Sequence, residues 1–212
     1  MKKFLFLLLS IHNSFAFVYD LCVVGATSGL GRELIFQSIC DRDKSVIALT
    51  SNKNNKINTP YRGNTFQYKE TNKTISHPNL FVQSYWNNDI ITFKHIVFCT
   101  SAKPFEKDYS DSITNKLLHQ IPNTCKTISL VSAYGAGESI DDANIGIKVM
   151  NDLYLKDVYR AKNEQENIIS SFNNPNIIKN IYRPRALSYG DTLLYSIPRS
   201  KLATEILDSI NL

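Results

Sequence analysis

The sequence lacks the features that mark metal sites, nucleic-acid grooves and membrane spans. Its four cysteines, Cys22, Cys40, Cys99 and Cys125, stand far apart, form no C-x-x-C pair and have no histidine at metal-ligand spacing, so no metal site or disulfide framework is indicated. Three of them sit inside apolar runs and read as small buried hydrophobes. No block of five or more basic residues occurs, and the aromatics do not interleave with arginine and lysine. The formal net charge of +5 therefore does not point to nucleic acid. No internal repeat is visible, and 212 residues leave room for one sizeable core rather than two. A composition with 43% hydrophobic and 20% charged residues belongs to an ordinary globular domain, with Asn52, Asn54, Asn55 and Asn58 read as composition bias expressed in a loop.

At the N-terminus, Lys2 and Lys3 precede the apolar run Phe4 to Leu9. His12 to Ala16 then end it, with Ser14 and Ala16 in the A-x-A-like positions of a cleavage site. The run is too short for a transmembrane helix, so no stable membrane span is expected once it is removed. Residues 1–16 read as a signal or targeting segment and 17–212 as one domain. Entry to the secretory pathway or a plastid is the expectation, a cytoplasmic protein with a hydrophobic extension the alternative. The segment is similar to the first part of plastid-targeting leaders in algae with secondary plastids, although the transit portion of such leaders is missing.

Phe17 to Gly25 is a mostly apolar run ending in glycine, as in a strand buried on both faces. Leu30, Leu34, Ile35 and Ile39 recur at helical spacing, and Ser45 to Ser51 forms a second strand. Polar residues and Pro60 make Asn52 to Gly63 a loop, Asn64 to Lys69 suits a short strand, and Leu80 to Trp86 is either a strand or a short helix. His95 to Thr100, Thr127 to Ala133 and Ile177 to Arg183 are further strands. Helical patterns fall at Tyr109 to Gln120, Ile147 to Phe172 and Ser200 to Ile210. This alternation predicts a single-domain α/β fold, a Rossmann-like doubly wound parallel sheet.

The densest local signal is VVGATSGLGREL. Gly25 can close the strand-to-helix turn, Gly29 lets backbone approach a pyrophosphate, and Gly31 lets the helix pack closely on the sheet. Amides at the helix start, Leu30 among them, can receive phosphate charge, and Thr27 and Ser28 add hydroxyl donors. The end of the second strand, Thr50, Ser51, Asn52 and Lys53, carries no acid to hydrogen-bond an adenosine ribose and repel a 2′-phosphate. With Arg32 early in the helix, this favours NADP as cofactor, with NAD as the alternative.

GATSGLG followed by REL resembles the glycine motif of the short-chain dehydrogenase/reductase superfamily. The rest is similar to its small, atypical NAD(P)H-binding branch, which includes flavin-reductase-like proteins and cofactor-binding proteins with little or no catalysis. VFCTSA at Val97 to Ala102 resembles the family strand that passes near the adenosine and ribose, which implies contacts from Thr100, Ser101 and Ala102. LVSAYGAG at Leu130 to Gly137 resembles the strand end that carries the active-site serine, here Ser132. IYRPRALSYG at Ile181 to Gly190 resembles the Arg-Pro-x-x-Leu segment, which places Pro184 against the nicotinamide side. Where the family usually has glycine, this chain has Arg185, which would narrow the pocket, meet an anionic substrate or point to solvent.

The resemblance also implies a Tyr-x-x-x-Lys pair, in which lysine lowers the pKa of the tyrosine that supplies the proton. Lys162 fits the lysine position, but Val158 stands four residues before it. Tyr159 and Tyr134 are the substitutes, and the plain alternatives are a packed helix tyrosine, a loop aromatic and an i,i+4 pair between Lys162 and Glu166. Flavin-like acceptors can take hydride directly, so loss of the pair is compatible with activity. Two functions follow: an NADP-dependent oxidoreductase acting on a small carbonyl or a planar, flavin- or quinone-like small molecule, or a non-catalytic NADP(H)-binding structural or redox-sensing module in a protein assembly.

Overall fold

Strand β1 (Val18–Val24) ends in four fully buried residues, Leu21, Cys22, Val23 and Val24, and side chains alternate across a strand. Both faces of β1 must therefore be covered. It pairs in parallel with β2 (Val46–Thr50) on one side and, beyond the intervening β3 (Leu80–Ser84) in sequence, with β4 (Thr92–Phe98) on the other. With β5 (Thr127–Val131) and β6 (Ile178–Tyr182) the sheet has the order β3-β2-β1-β4-β5-β6, every neighbouring pair parallel. The strand order switches direction between β1 and β4, which opens a crevice over their carboxyl ends.

Helix α1 (Gly29–Phe36) and the C-terminal helix cover one face. Leu30, Leu34 and Ile35 from α1 meet Leu21, Val23 and Val97 of the sheet and Leu202, Ile206 and Leu207 of that last helix. The other face carries α2 (Ser110–Leu118), whose Ile113 and Leu117 join Ile169, Cys22, Val24, Ile96 and Phe98 in a second cluster. Each fully buried leucine or isoleucine in these layers contributes roughly 1.5–3 kcal/mol relative to exposure. Cys22, Cys99 and Cys125 are buried and Cys40 is exposed.

This computed structural model describes residues 17–52, 54–60, 73–85, 91–101, 107–188 and 196–212. The leader at 1–16, Lys53, Ala102 and the strand suggested at Asn64 to Lys69 lie outside the described residues. Of the two readings for Leu80 to Trp86, the strand is the one formed.

The single helical pattern from Ile147 to Phe172 needs correction, because it forms two helices, α3 (Ile145–Leu153) and α4 (Lys156–Ser171). The apolar stripe of α3, Ile145, Val149 and Leu153, lies in solvent, with Ile145 81% and Leu153 65% exposed. The buried stripe of α4 begins at Val158, five residues past Leu153, or about 140° further round a continuous axis. One straight helix could not present both stripes to the same surface. Asn144 starts the first of the pair, its side-chain oxygen accepting from the Ile147 amide at 3.0 Å.

After β6 the chain makes a two-residue parallel pair, β7 (Leu187–Ser188) with β8 (Ile197–Pro198), which the sequence reading did not anticipate. This pair delivers the chain to α5 (Arg199–Ser209). Among the described residues no helix is long and apolar enough to cross a membrane.

Candidate dinucleotide and acceptor site

Gly25 has φ +82°, and a Cβ there would lie 3.0 Å from backbone atoms of Cys99 and Thr100. Only glycine meets both conditions without strain, so β1 can turn sharply against the end of β4. A Cβ on Gly31 would stand 2.4 Å from the Gly25 carbonyl oxygen, which makes the tight entry into α1 depend on that residue too. Ser28 caps the helix: its Oγ accepts from the Gly31 amide at 2.9 Å, which leaves its own O–H free to donate. The Arg32 amide donates to the Ser28 carbonyl, whereas the amides of Gly29 and Leu30 have no acceptor among the described residues. Two backbone donors at the positive end of a helix suit a phosphate.

Two clefts meet over this turn. The first, of about 320 Å³, is lined by Gly25, Thr27, Ser28, Ser51, Thr100 and Ser101 among others. The second, of about 270 Å³, is lined by Ser28, Gly29, Leu30, Ser101, Ser132, Lys162 and Pro184, with Cys99, Val131, Val158, Arg185 and Leu187. Ser28, Cys99 and Ser101 border both, so the clefts form one trough across the switch point. The structure thus brings together the nominated residues from the turn, β2, β4, β5, α4 and the segment after β6. Gly31, Arg32, Tyr134 and Tyr159 line neither cleft. Arg32 is only 9% exposed, and its Nε has no hydrogen-bond partner among the described residues.

Lys162 is buried at 4% exposure, and its ammonium donates to the carbonyls of Thr100 at 2.6 Å and Val131 at 2.9 Å and to Gln165 Oε1 at 3.2 Å. All three donors are engaged, so the side chain clamps the ends of β4 and β5 together. Burial lowers its pKa to about 8, partly offset by the nearby carboxylates Asp108 and Glu166. Its i,i+4 pairing with Glu166 does not form; Glu166 instead binds Arg183 at 2.8 Å, because the end of β6 brings a guanidinium to that carboxylate. Cys99 borders both clefts as an unreactive thiol, its pKa raised by burial to about 12.

Val158, at the position where the resemblance would put tyrosine, faces the second cleft. Tyr159 is turned away, and its hydroxyl donates to the Tyr134 carbonyl at 2.9 Å. The Tyr134 hydroxyl donates to the Asp142 carbonyl at 2.7 Å. Both tyrosines thus brace the loop after β5 instead of offering a proton to the trough. Ser132 behaves differently: it is 5% exposed, its Oγ has no partner among the described residues, and it lines the second cleft.

Polar lining residues that escaped the sequence reading include Tyr85, Lys107 and Asp108 in the first cleft and Arg199 in the second. Tyr85 directly follows the end of β3, a position that could have drawn attention to it, and Asp108 stands just before α2. Arg199 carried no local signal, because it reaches the trough only through the β7–β8 pair.

No protein-family model matches the sequence, and no curated protein matches it. Solved structures do match. The anaerobilin reductase ChuY from Escherichia coli superposes with a TM-score of 0.57 at 12% identity, over 91% of this chain and 90% of that one. A short-chain dehydrogenase/reductase from Veillonella parvula in complex with NADP gives 0.59 at 12% identity, over 92% and 88%. WbmH from Bordetella bronchiseptica in complex with NAD+ gives 0.60 at 10% identity, over 92% and 73%. The chain therefore shares the Rossmann-like α/β fold of these structures.

Proposed function

We propose that this protein is a nicotinamide-dinucleotide-dependent oxidoreductase that reduces a small carbonyl compound or a planar conjugated acceptor. The observation that carries the reading is the continuous trough, with free helix amides at one end and the orphaned Ser132 hydroxyl at the other. These residues fit a dinucleotide: Gly29, Leu30 and Ser28 would hold the pyrophosphate, the first cleft the adenosine, and the wall of Ser132, Val158 and Pro184 the nicotinamide. A bound NAD(P)H supplies hydride. The chain's own contribution is to position the acceptor, to exclude water with Val131, Val158 and Leu187, and to donate one hydrogen bond from Ser132 to the oxygen or nitrogen that gains charge. A planar acceptor is favoured over a simple carbonyl because no acidic side chain stands where Val158 stands.

NADP is the cofactor this reading favours. No acid follows β2, and the buried Arg32 guanidinium, which lines neither cleft and has no ion pair among the described residues, would have to turn out of the first turn of α1 to meet a 2′-phosphate. Arg32→Ala should weaken NADP binding about ten-fold more than NAD binding in calorimetry; an unchanged ratio removes that argument. Saturable binding with no oxidation of NADPH by flavin, quinone and aldehyde acceptors would overturn the oxidoreductase. It would favour a non-catalytic NADP(H)-binding module, a reading supported by the engaged state of Lys162, Tyr134 and Tyr159. For residues 1–16 the proposal is a targeting leader, tested by sequencing the mature N-terminus.

A further inference from the structure

Two arginines flank Pro184, and their surroundings differ. Arg183 meets Glu166 at 2.8 Å and Glu138 at 3.9 Å, so its charge is neutralised by the protein. Arg185 has no carboxylate within ion-pair distance among the described residues. Its guanidinium stacks 5.2 Å from the centre of the Tyr134 ring and lines the second cleft. The ring is a fixed platform: the Tyr134 amide donates to the Pro184 carbonyl at 2.9 Å, its hydroxyl to Asp142, and its carbonyl accepts from Tyr159. Stacking on an aromatic face limits where the guanidinium can go while leaving its N–H edge available.

The described lining of the cleft is cationic. Lys162, Arg185 and Arg199 are part of it, and none of its described residues is a carboxylate. Helix α5 begins there at Arg199, with no side-chain cap and no acid in its first turn, opposite to what a helix N-terminus favours. A site that departs from local preference in this way is suited to an incoming anion. The pyrophosphate does not account for Arg185. That residue follows β6, which lies three strand spacings, about 14 Å, from β1 across the sheet.

We propose that Arg185, held on the Tyr134 ring, binds an anionic substituent of the acceptor, so that the molecule taken by the second cleft carries a carboxylate or phosphate beside its reducible group. This specifies the acceptor class of the reductase proposed above and rests on that reading for the word acceptor, but its test needs no turnover. With the full-length protein saturated with NADP+, equilibrium binding is measured for two pairs that keep the ring and change the charge: FMN against riboflavin, and biliverdin against its dimethyl ester. The first pair reports phosphate and the second carboxylate.

In at least one pair the anionic member should bind about ten-fold more tightly, the yield of one charge-assisted contact. Arg185→Ala should bring that pair within about two-fold without weakening the neutral member, and Arg185→Lys should restore part of the preference. Tyr134→Phe keeps the ring and should keep the preference, whereas Tyr134→Ala should lose it. No preference in either pair, no binding of either pair, or a preference that survives Arg185→Ala overturns the proposal. A preference that depends on Arg185 in a protein that never oxidises NADPH would retain the subsite and discard the reductase.

Discussion

The two ends of the trough are built in opposite ways. The end proposed to hold the dinucleotide comes from one contiguous stretch, β1 to α1, where Gly25 and Gly31 are required by backbone approaches of 3.0 and 2.4 Å and Ser28 caps the helix they admit. The end proposed to hold the acceptor is assembled from β4, β5, α4, the segment before β7 and the residue after β8, and it is held by side chains that reach across the sheet. A local site tolerates no change in its few backbone-critical positions. A composite site has one central fastening, Lys162, and several replaceable walls.

The sharpest way to break this comparison is at Gly31. Gly31→Val puts a branched side chain into the space of the Gly25 carbonyl, and dinucleotide affinity should fall at least about 100-fold in calorimetry, with stability lowered by roughly 1–3 kcal/mol from overpacking. A variant that binds dinucleotide normally would mean that the turn is structural only.

Lys162→Met should produce the next largest effect, on stability more than on binding. Methionine fills the volume but leaves the carbonyls of Thr100 and Val131 without their donor, a loss of roughly 2–4 kcal/mol in chemical denaturation near neutral pH. The pH dependence carries its own sign. Because the folded pKa is about 8, below the usual 10.5, the unfolded chain binds more protons between those values, and the lysine's contribution to stability rises as pH increases through that window. The stability gap between wild type and Lys162→Met should therefore widen from pH 8 to pH 10 by an amount on the order of 2–3 kcal/mol. A gap independent of pH would show that the amine is not buried as described.

Legibility in the sequence follows the same division. The order of strands and helices, the turn and its cap all depend on neighbours within about thirty residues, and composition and spacing expose them. The split between α3 and α4 was also written there, in Asn144 and in the phase shift between the stripes of Leu153 and Val158, although the run of helical residues masked it. What spacing could not show is the destination of a hydroxyl. Tyr134 and Tyr159 lie near Ser132 and Lys162 in sequence, yet each spends its proton on a loop carbonyl whose position depends on how the chain returns after β5. Arg199 was hidden for a related reason, since a parallel pair of two residues leaves no periodic trace.

Val158 offers a way to sharpen the acceptor end. Val158→Tyr places a phenol in the cleft, four residues before Lys162, where hydride transfer to a carbonyl would gain a proton donor. Turnover with aldehydes should rise about ten-fold or more, a modest share of the usual general-acid effect, because Lys162 already has its donors occupied. Turnover with a planar acceptor should fall, as the ring takes up cleft volume. Equal changes for both acceptor classes would mean that the hydroxyl does not reach the reacting atom.

The smallest effect is expected from Tyr159→Phe. The substitution removes one hydrogen bond, from the phenol to the Tyr134 carbonyl, and leaves the ring in place. A single neutral hydrogen bond contributes about 0.5–1.5 kcal/mol net, so stability should drop by that amount. NADPH oxidation should change by less than about three-fold, because Tyr134 keeps its other two fastenings to Pro184 and Asp142 and still supports Arg185. If turnover instead fell 100-fold while stability held, Tyr159 would be a proton donor that swings into the trough, and the acceptor end would rest on a moving part instead of fixed walls.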